Sequence, residues 1–205
     1  MTLESSKNLG GIGAILMFIG VLPYVNYFSI VEIIGAIFIL VALHGLARFY
    51  KENGIFNNVL YGIIASVVGV VLAVAIGIAL VLSNIKDFLL QVFPSWNGEW
   101  STIPSLSGMM PNTSNLSFGV IIPFIIAAIL VIAILFVFGT VATFFVRRSL
   151  VQLSTKTNVA LFSTAGTMLL IGAVLVIIFG IGLLITWIGV LVLAFAFFRI
   201  KPPQT

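Results

Sequence analysis

Asn158–Ile200 reads NVALFSTAGTMLLIGAVLVIIFGIGLLITWIGVLVLAFAFFRI. From Asn158 to Phe198 it holds no Asp, Glu, Lys, Arg or His. One helix across a hydrocarbon core of about 30 Å needs about 20 apolar residues, so this run is two spans long. Phe179-Gly180-Ile181-Gly182 lies near its middle and supplies two glycines for a tight turn. The run predicts a membrane hairpin, spans 158–179 and 182–198, that starts and ends on one side. Arg199 and Lys201 mark its return to water.

The rest of the chain has the same character. Of 205 residues 61% are hydrophobic and 7% charged, against about 25% charged in a soluble domain. The length suits one membrane domain, 1–205, without a separate soluble part. A net charge of +4 and a pI near 9.7 would suggest nucleic acid in a soluble protein. Here the few basic residues sit at helix ends, the pattern that sets membrane orientation, and nucleic acid is excluded as a partner. The chain has no cysteine and one histidine, which removes disulfides, thiol chemistry and a histidine-rich metal site. No cofactor and no metal are expected.

Upstream of the hairpin the pattern predicts four more spans: about 9–26, 28–47, 55–82 and 118–146. The first follows a polar start containing Glu4 and Lys7 and ends on Pro23-Tyr24-Val25-Asn26-Tyr27, with aromatics at the far interface. In the third, Gly69, Ala73 and Gly77 recur every four residues, a small-residue row that lets another helix approach closely. An internal contact and a dimer contact both fit that row. Pro123 falls in the first turns of the fourth span, where proline is best tolerated. The expectation is an all-α polytopic bundle of six transmembrane helices.

The one long loop is 83–117. Ile85–Phe93 (IKDFLLQVF) is expected to lie along the membrane surface as a short helix. Pro94, Trp96, Gly98, Trp100, Pro104, Gly108 and Pro111 come next as turn and interface residues. Asn112-Thr113-Ser114 and Asn115-Leu116-Ser117 are N-x-Ser/Thr sequons, making Asn112 and Asn115 glycosylation candidates in an external loop. With six spans, one side carries Lys7, Arg48, Lys51, Arg147, Arg148, Lys156, Arg199 and Lys201, and the other only Lys86. The positive-inside rule then places both termini in the cytoplasm of a cell-membrane protein and the loop outside.

The two ends of the chain echo each other. Ile12–Gly20 can be laid over Thr164–Gly172, and Ile34-Gly35 over Ile188-Gly189. Each hairpin ends in an aromatic-basic exit, Arg48-Phe49-Tyr50-Lys51 and Phe197-Phe198-Arg199-Ile200-Lys201. A repeat of this kind would be parallel, as in some transporters. Chance matches among Gly, Ile and Leu explain the echo as well.

The opening Leu3-Glu4-Ser5-Ser6-Lys7-Asn8-Leu9-Gly10-Gly11-Ile12-Gly13-Ala14, the segment Phe49–Asn58 (FYKENGIFNN) and the ending Phe195–Lys201 (FAFFRIK) carry a resemblance. The chain resembles the family called domain of unknown function 996, small integral membrane proteins of archaea and bacteria. The resemblance covers nearly the whole chain. It implies a fold and a membrane location, and brings no activity, cofactor or functional residue with it.

Few residues carry chemistry. Glu32, among Ile30, Val31, Ile33 and Ile34, is the sharpest, because an ionisable group within a span is costly and by default a functional hypothesis. Its depth is shallow, so a carboxyl facing the outer headgroups or hydrogen-bonded in the bundle accounts for it too. His44 is near the inner end of the same helix, about 18 Å along the axis and about 120° around it from Glu32, so the two do not meet. An interfacial position near Arg48 explains His44. Gly10-Gly11-Ile12-Gly13 lacks the spacing and the preceding strand of a phosphate loop. Asp87 is the single aspartate and no G-x-S-x-G elbow occurs, so no enzyme is expected. The reading is a non-enzymatic structural or interaction component of a cell-envelope membrane assembly, bound to membrane lipid. Its expected partners are an envelope protein, through loop 83–117, or a second copy. The alternative is a small transporter or channel using Glu32.

Overall fold

The computed structural model describes residues 2–22, 30–114, 116–178 and 180–201. Among them are six α-helices: α1 (Leu3–Gly20), α2 (Ile30–Phe49), α3 (Asn53–Val92), α4 (Phe118–Thr157), α5 (Leu161–Leu175) and α6 (Ile181–Phe198). A 3-10 helix, Trp100–Gly108, lies in the α3–α4 connection. By length and composition four of these qualify as membrane spans: α2, α3, α4 and α6. The other two fall short for different reasons. Glu4, Ser5, Ser6, Lys7 and Asn8 occupy the first two turns of α1, and α5 has only 15 residues.

The helix ends depart from the expected span ends, and local chemistry explains those of α1, α3 and α4; α5 covers only Leu161–Leu175 of the expected span 158–179. Thr2 caps α1 by accepting the Ser5 amide on its hydroxyl at 3.2 Å, so this helix starts at Leu3 and not near residue 9. Residues 23–26 of the expected first span lie outside the described residues. The expected surface helix 85–93 is not a separate element, because α3 runs unbroken to Val92. The Ser83 hydroxyl and the Asn84 amide both donate to the Leu80 carbonyl, so these polar residues are satisfied on the helix itself. The loop therefore begins at Phe93 and not at residue 83. Likewise α4 continues past Val146 to Thr157, and Asn158, at φ 55°, closes it in the left-handed conformation that often ends a helix. At 40 residues each, α3 and α4 are about 60 Å long, about twice a bilayer core.

Contacts divide the chain into two units, 1–67 with 138–205, and 68–137. In the first unit α1 packs on α2, α5 on α6, and α1 on α6. Its core is built from Leu43 and Leu46 of α2, Ile55 of α3, Leu150 and Leu153 of α4, Phe162 of α5 and Phe197 of α6. Phe162 meets Phe197 edge to face at 5.1 Å. Glycines make the close approaches. A Cβ on Gly13 would sit 2.7 Å from the Gly35 carbonyl oxygen, so α1 and α2 touch backbone to backbone. Gly182 does the same against Gly172 in the second hairpin. The expected turn there is carried by Gly180, at φ 73°; Phe179 lies outside the described residues.

In the second unit the second half of α3 packs on the first part of α4. Ala73 and Ala127 are buried, and a Cβ on Gly77 would lie 3.1 Å from the Val131 side chain. Gly69 is buried on the same row. Nearer the loop, Phe88 meets Phe124 at 5.5 Å, and Gln91 accepts the Ser117 amide at 3.1 Å.

Two glycine contacts recur in both hairpins. When Ile12–Gly20 is laid over Thr164–Gly172, Met17 falls on Leu169 and Gly20 on Gly172. In the following helix Gly35 falls on Gly189 and, with the same register, Glu32 on Thr186. A Cβ on Gly20 would strike the Glu32 side chain, and one on Gly172 would strike that of Thr186. One on Gly35 would reach the Met17 amide, and one on Gly189 the Leu169 amide. The backbone contacts themselves do not correspond, because Gly13 falls on Ala165 and Gly172 on Gly20 in the overlay, so the likeness is confined to these two glycine contacts.

Candidate functional site

Glu32 is the third residue of α2 and half-buried, its side chain laid against Gly20. His44, three turns on, is exposed and meets the Phe56 ring edge at 4.8 Å. The structure does not bring the two together. Among the described residues no group of three or more His, Cys, Asp or Glu is arranged to hold a metal.

What the first unit does contain is a cavity of about 270 Å³ that all six α-helices line. Met17 of α1 and Leu169 of α5 face it, with Ala36 and Ile39 of α2 and their counterparts in the overlay, Val190 and Leu193 of α6. Val59 and Ile63 of α3 and Thr143, Val146 and Leu150 of α4 complete the wall. Thr143 and Thr186 are the hydroxyl residues of the lining, and Thr143 donates to its own helix at the Gly139 and Thr140 carbonyls, 3.0 Å each. The cavity thus offers hydrocarbon and almost no free polarity. The sequence reading missed it, since no residue in it is chemically unusual. The one usable signal was the echo, which places matched positions of both hairpins on a single wall.

Beside this wall, in sequence and on the same helical face, is Arg147. At 100° per residue Thr143, Val146, Arg147 and Leu150 fall in one stripe of α4. Arg147 is half-buried, and its Nε donates to the Thr167 hydroxyl of α5 at 3.3 Å. The ion pairs among the described residues are Lys7–Glu4 at 3.5 Å and Lys156–Glu52 at 3.0 Å, so Arg147 has no carboxylate among them. Tyr50, at the same end of the unit, has its phenol pushed above the ordinary value by burial.

The α3–α4 connection is a second candidate, in the other unit. Trp96 is 3% exposed, and its indole N–H donates to the Thr102 hydroxyl at 2.8 Å. The Asn97 side-chain oxygen accepts both the Thr102 hydroxyl at 2.9 Å and the Glu99 amide at 3.0 Å. This knot fixes the 3-10 helix, whose Trp100 crosses Trp96 edge to face at 6.2 Å and is half exposed. Met110 is 92% exposed and Phe118 80%. Asn112 is exposed, its side chain folded onto the Ser114 amide at 3.1 Å; Asn115 lies outside the described residues.

Residues 31–191 match the model of a protein family of unknown function, DUF996. The chain belongs to this family. The DUF996 match takes in the loop and every cavity-lining residue except Met17 and Leu193. A relative, an uncharacterised protein of Methanocaldococcus jannaschii, is 25% identical to this DUF996 chain over 203 residues, 98% of this chain and 94% of the other. No solved structure matches. With its long apolar helices this DUF996 chain is consistent with membrane insertion, and the family supplies no activity to map onto the cavity or the loop.

Proposed function

We propose that this chain is a non-enzymatic, six-span component of a cell-envelope membrane assembly that engages a partner through the α3–α4 connection. One observation carries this reading. The connection is a built object, fixed by the Trp96–Thr102–Asn97 knot, yet it leaves Trp100, Met110 and Phe118 in the open. Ordered loops with exposed large apolar groups suit anchoring in a partner's pocket, where aromatic residues dominate the binding energy. In this reading α1 and α5 also cross the membrane, both termini are cytoplasmic and the loop is external. A second copy of the chain is the other partner that fits.

Transport through Glu32 has less support. Glu32 packs on Gly20 and is not part of the cavity wall, and that wall is apolar.

The test uses the whole protein released gently from its own membrane and weighed intact, beside a variant carrying Trp100→Ser, Ile103→Ser and Met110→Ser. None of these side chains is buried or hydrogen-bonded in the knot, and circular dichroism checks that the variant keeps the fold. The expected result is a protein partner, or a second copy, on the wild type and its loss from the variant. A partner retained by the variant, or a lone chain in both, overturns the loop as the docking element.

A further inference from the structure

The cavity and Arg147 make one site when taken together. An enclosed apolar cavity of about 150 Å³ already takes up a benzene-sized ligand. This one has about 270 Å³, is apolar, and is partly open at its edge, so a longer chain can enter it. Water gains nothing there, because the Thr143 hydroxyl is committed to its own backbone and the remaining walls are hydrocarbon with only Thr186 as an exception. A soluble apolar ligand is not needed to fill it, since the hydrocarbon around a membrane bundle is lipid chain at very high concentration.

The choice of lipid rests on charge. Arg147 follows Val146 on α4, at the edge of the face whose Thr143, Val146 and Leu150 line the cavity. Neither Arg147 nor Thr167 lines the cavity; Arg147 sits at its edge, against Gly166 of α5, its Nε donating to the Thr167 hydroxyl, and no carboxylate among the described residues pairs with it. A half-buried guanidinium has further donors in a fixed planar fork that suits phosphate. It also lies at the end of the chain's spans where Arg148, Arg48 and Lys51 cluster, so an anionic headgroup is favoured and a zwitterionic one is not.

We infer that the cavity is a lipid-binding site that takes one hydrocarbon chain of an anionic bilayer phospholipid, with Arg147 meeting the phosphate. This stands independently of the loop reading, because every residue in it belongs to the first unit. Bound lipid would replace contacts that the six helices do not make with each other across the cavity, and so act as a packing element of the bundle.

The experiment is native mass spectrometry of the delipidated full chain, titrated separately with phosphatidylglycerol, phosphatidylcholine of the same chains, and the matching free fatty acid. Arg147→Gln removes the charge and keeps a hydrogen-bonding side chain. Ala36→Phe fills the cavity, and Ala36→Leu fills it more mildly should the larger ring disturb the bundle. Circular dichroism checks the fold of each. The expected result is one phosphatidylglycerol per chain, preferred over phosphatidylcholine. Arg147→Gln should weaken it about tenfold, the factor a hydrogen bond to a charged group supplies. Both Ala36 variants should lose it or weaken it, and Ala36→Leu should melt higher than wild type when both are delipidated. Equal binding of the two phospholipids overturns the headgroup assignment. Undiminished phosphatidylglycerol binding by the folded Ala36 variants overturns the cavity as the site. Preferential uptake of the free fatty acid overturns the bilayer source.

Discussion

The Trp187 indole donates its N–H to the Phe18 carbonyl oxygen at 2.8 Å, and the two rings stack at 4.4 Å, 3° from parallel. The bond answers a need of α1. Near a helix end the last carbonyls lose their partners. The Leu22 amide, the ordinary partner of Phe18, instead bonds the Ile19 carbonyl at 3.0 Å. Trp187 thus ties the end of the first hairpin's opening helix to α6 by a polar and an apolar contact at once. Trp187→Phe keeps a ring and loses the donor, and is expected to cost about 0.6 kcal/mol and at most about 1.7, the range measured between membrane helices. Trp187→Ala loses the stack as well and should cost clearly more. Unfolding in mixed detergent micelles followed by circular dichroism separates the two; equal midpoints for both variants would remove the stack from the account.

The backbone contact between Gly13 and Gly35 predicts a sharp size limit. A Cβ on either residue falls within 3 Å of the other's carbonyl oxygen, and neither oxygen belongs to a side chain that can swing away. Gly13→Val and Gly35→Val must therefore push α1 from α2, and a cost of about 1–3 kcal/mol is expected from overpacking. Gly139 is the contrast, because nothing lies within 4 Å of its would-be Cβ. Gly139→Ala should be neutral or should stabilise by about 0.5–1 kcal/mol through reduced chain entropy. The same micelle unfolding measures all three.

These glycines also show where the sequence was readable and where it was not. Apolar runs announced an all-helical chain whose long apolar helices are consistent with membrane insertion, because lipid allows few alternatives to helix. Helix ends were the weak point, since a change to polar residues marks where a span leaves the membrane and not where the helix stops. Ser83, Asn84, Arg147 and Arg148 all continue their helices, and α3 ends only just before Pro94. The cavity was out of reach for another reason. Met17, Ala36, Ile39, Leu169, Val190 and Leu193 look like any apolar residues, and only their convergence makes a site. Arg147 was visible as a charge, but its neighbours Thr167 and Leu150 were not.

Glu32 occupies the position in the first hairpin that Thr186 occupies in the second, each against a glycine. If its role is packing at a helix start, Glu32→Gln and Glu32→Thr should both express and unfold within about 0.5 kcal/mol of wild type. Proton or cation flux into liposomes should be unchanged from the protein-free level for wild type and variants alike. A flux present in wild type and abolished by Glu32→Gln would restore the carboxyl to a transport mechanism.

At the basic end, α3 and α4 are joined by polar contacts of unequal worth. The Asn58 amide donates to the Gly54 carbonyl at 2.7 Å and to Gln152 Oε1 at 3.2 Å, and Asn58 is buried. The Lys156–Glu52 pair, at 3.0 Å, is substantially exposed. Burial decides the ranking, because water and salt weaken the exposed pair while a lost buried partner leaves Gln152 unsatisfied. Asn58→Leu is expected to cost about 1–3 kcal/mol. Glu52→Gln should cost less than about 1 kcal/mol, and that cost should vanish in high salt. The reverse ranking would show that the ion pair, not the amide, closes this end.

Orientation can be read with two single cysteines, because the chain has none of its own. Ser105 in the 3-10 helix and Thr155 near the end of α4 are both exposed, so labelling at each reports access and not burial. Lys7, Arg48, Lys51, Arg147, Arg148, Lys156, Arg199 and Lys201 would all be retained in the cytoplasm with Thr155, and only Lys86 exported with Ser105. Ser105→Cys should therefore react with a membrane-impermeant maleimide on intact cells. Thr155→Cys should react only after the cells are opened. If Thr155→Cys reacts first and Ser105→Cys is protected, the basic clusters face outward and the loop cannot meet an external partner. If both react on intact cells, α4 does not cross the membrane between them, and the six-span arrangement fails.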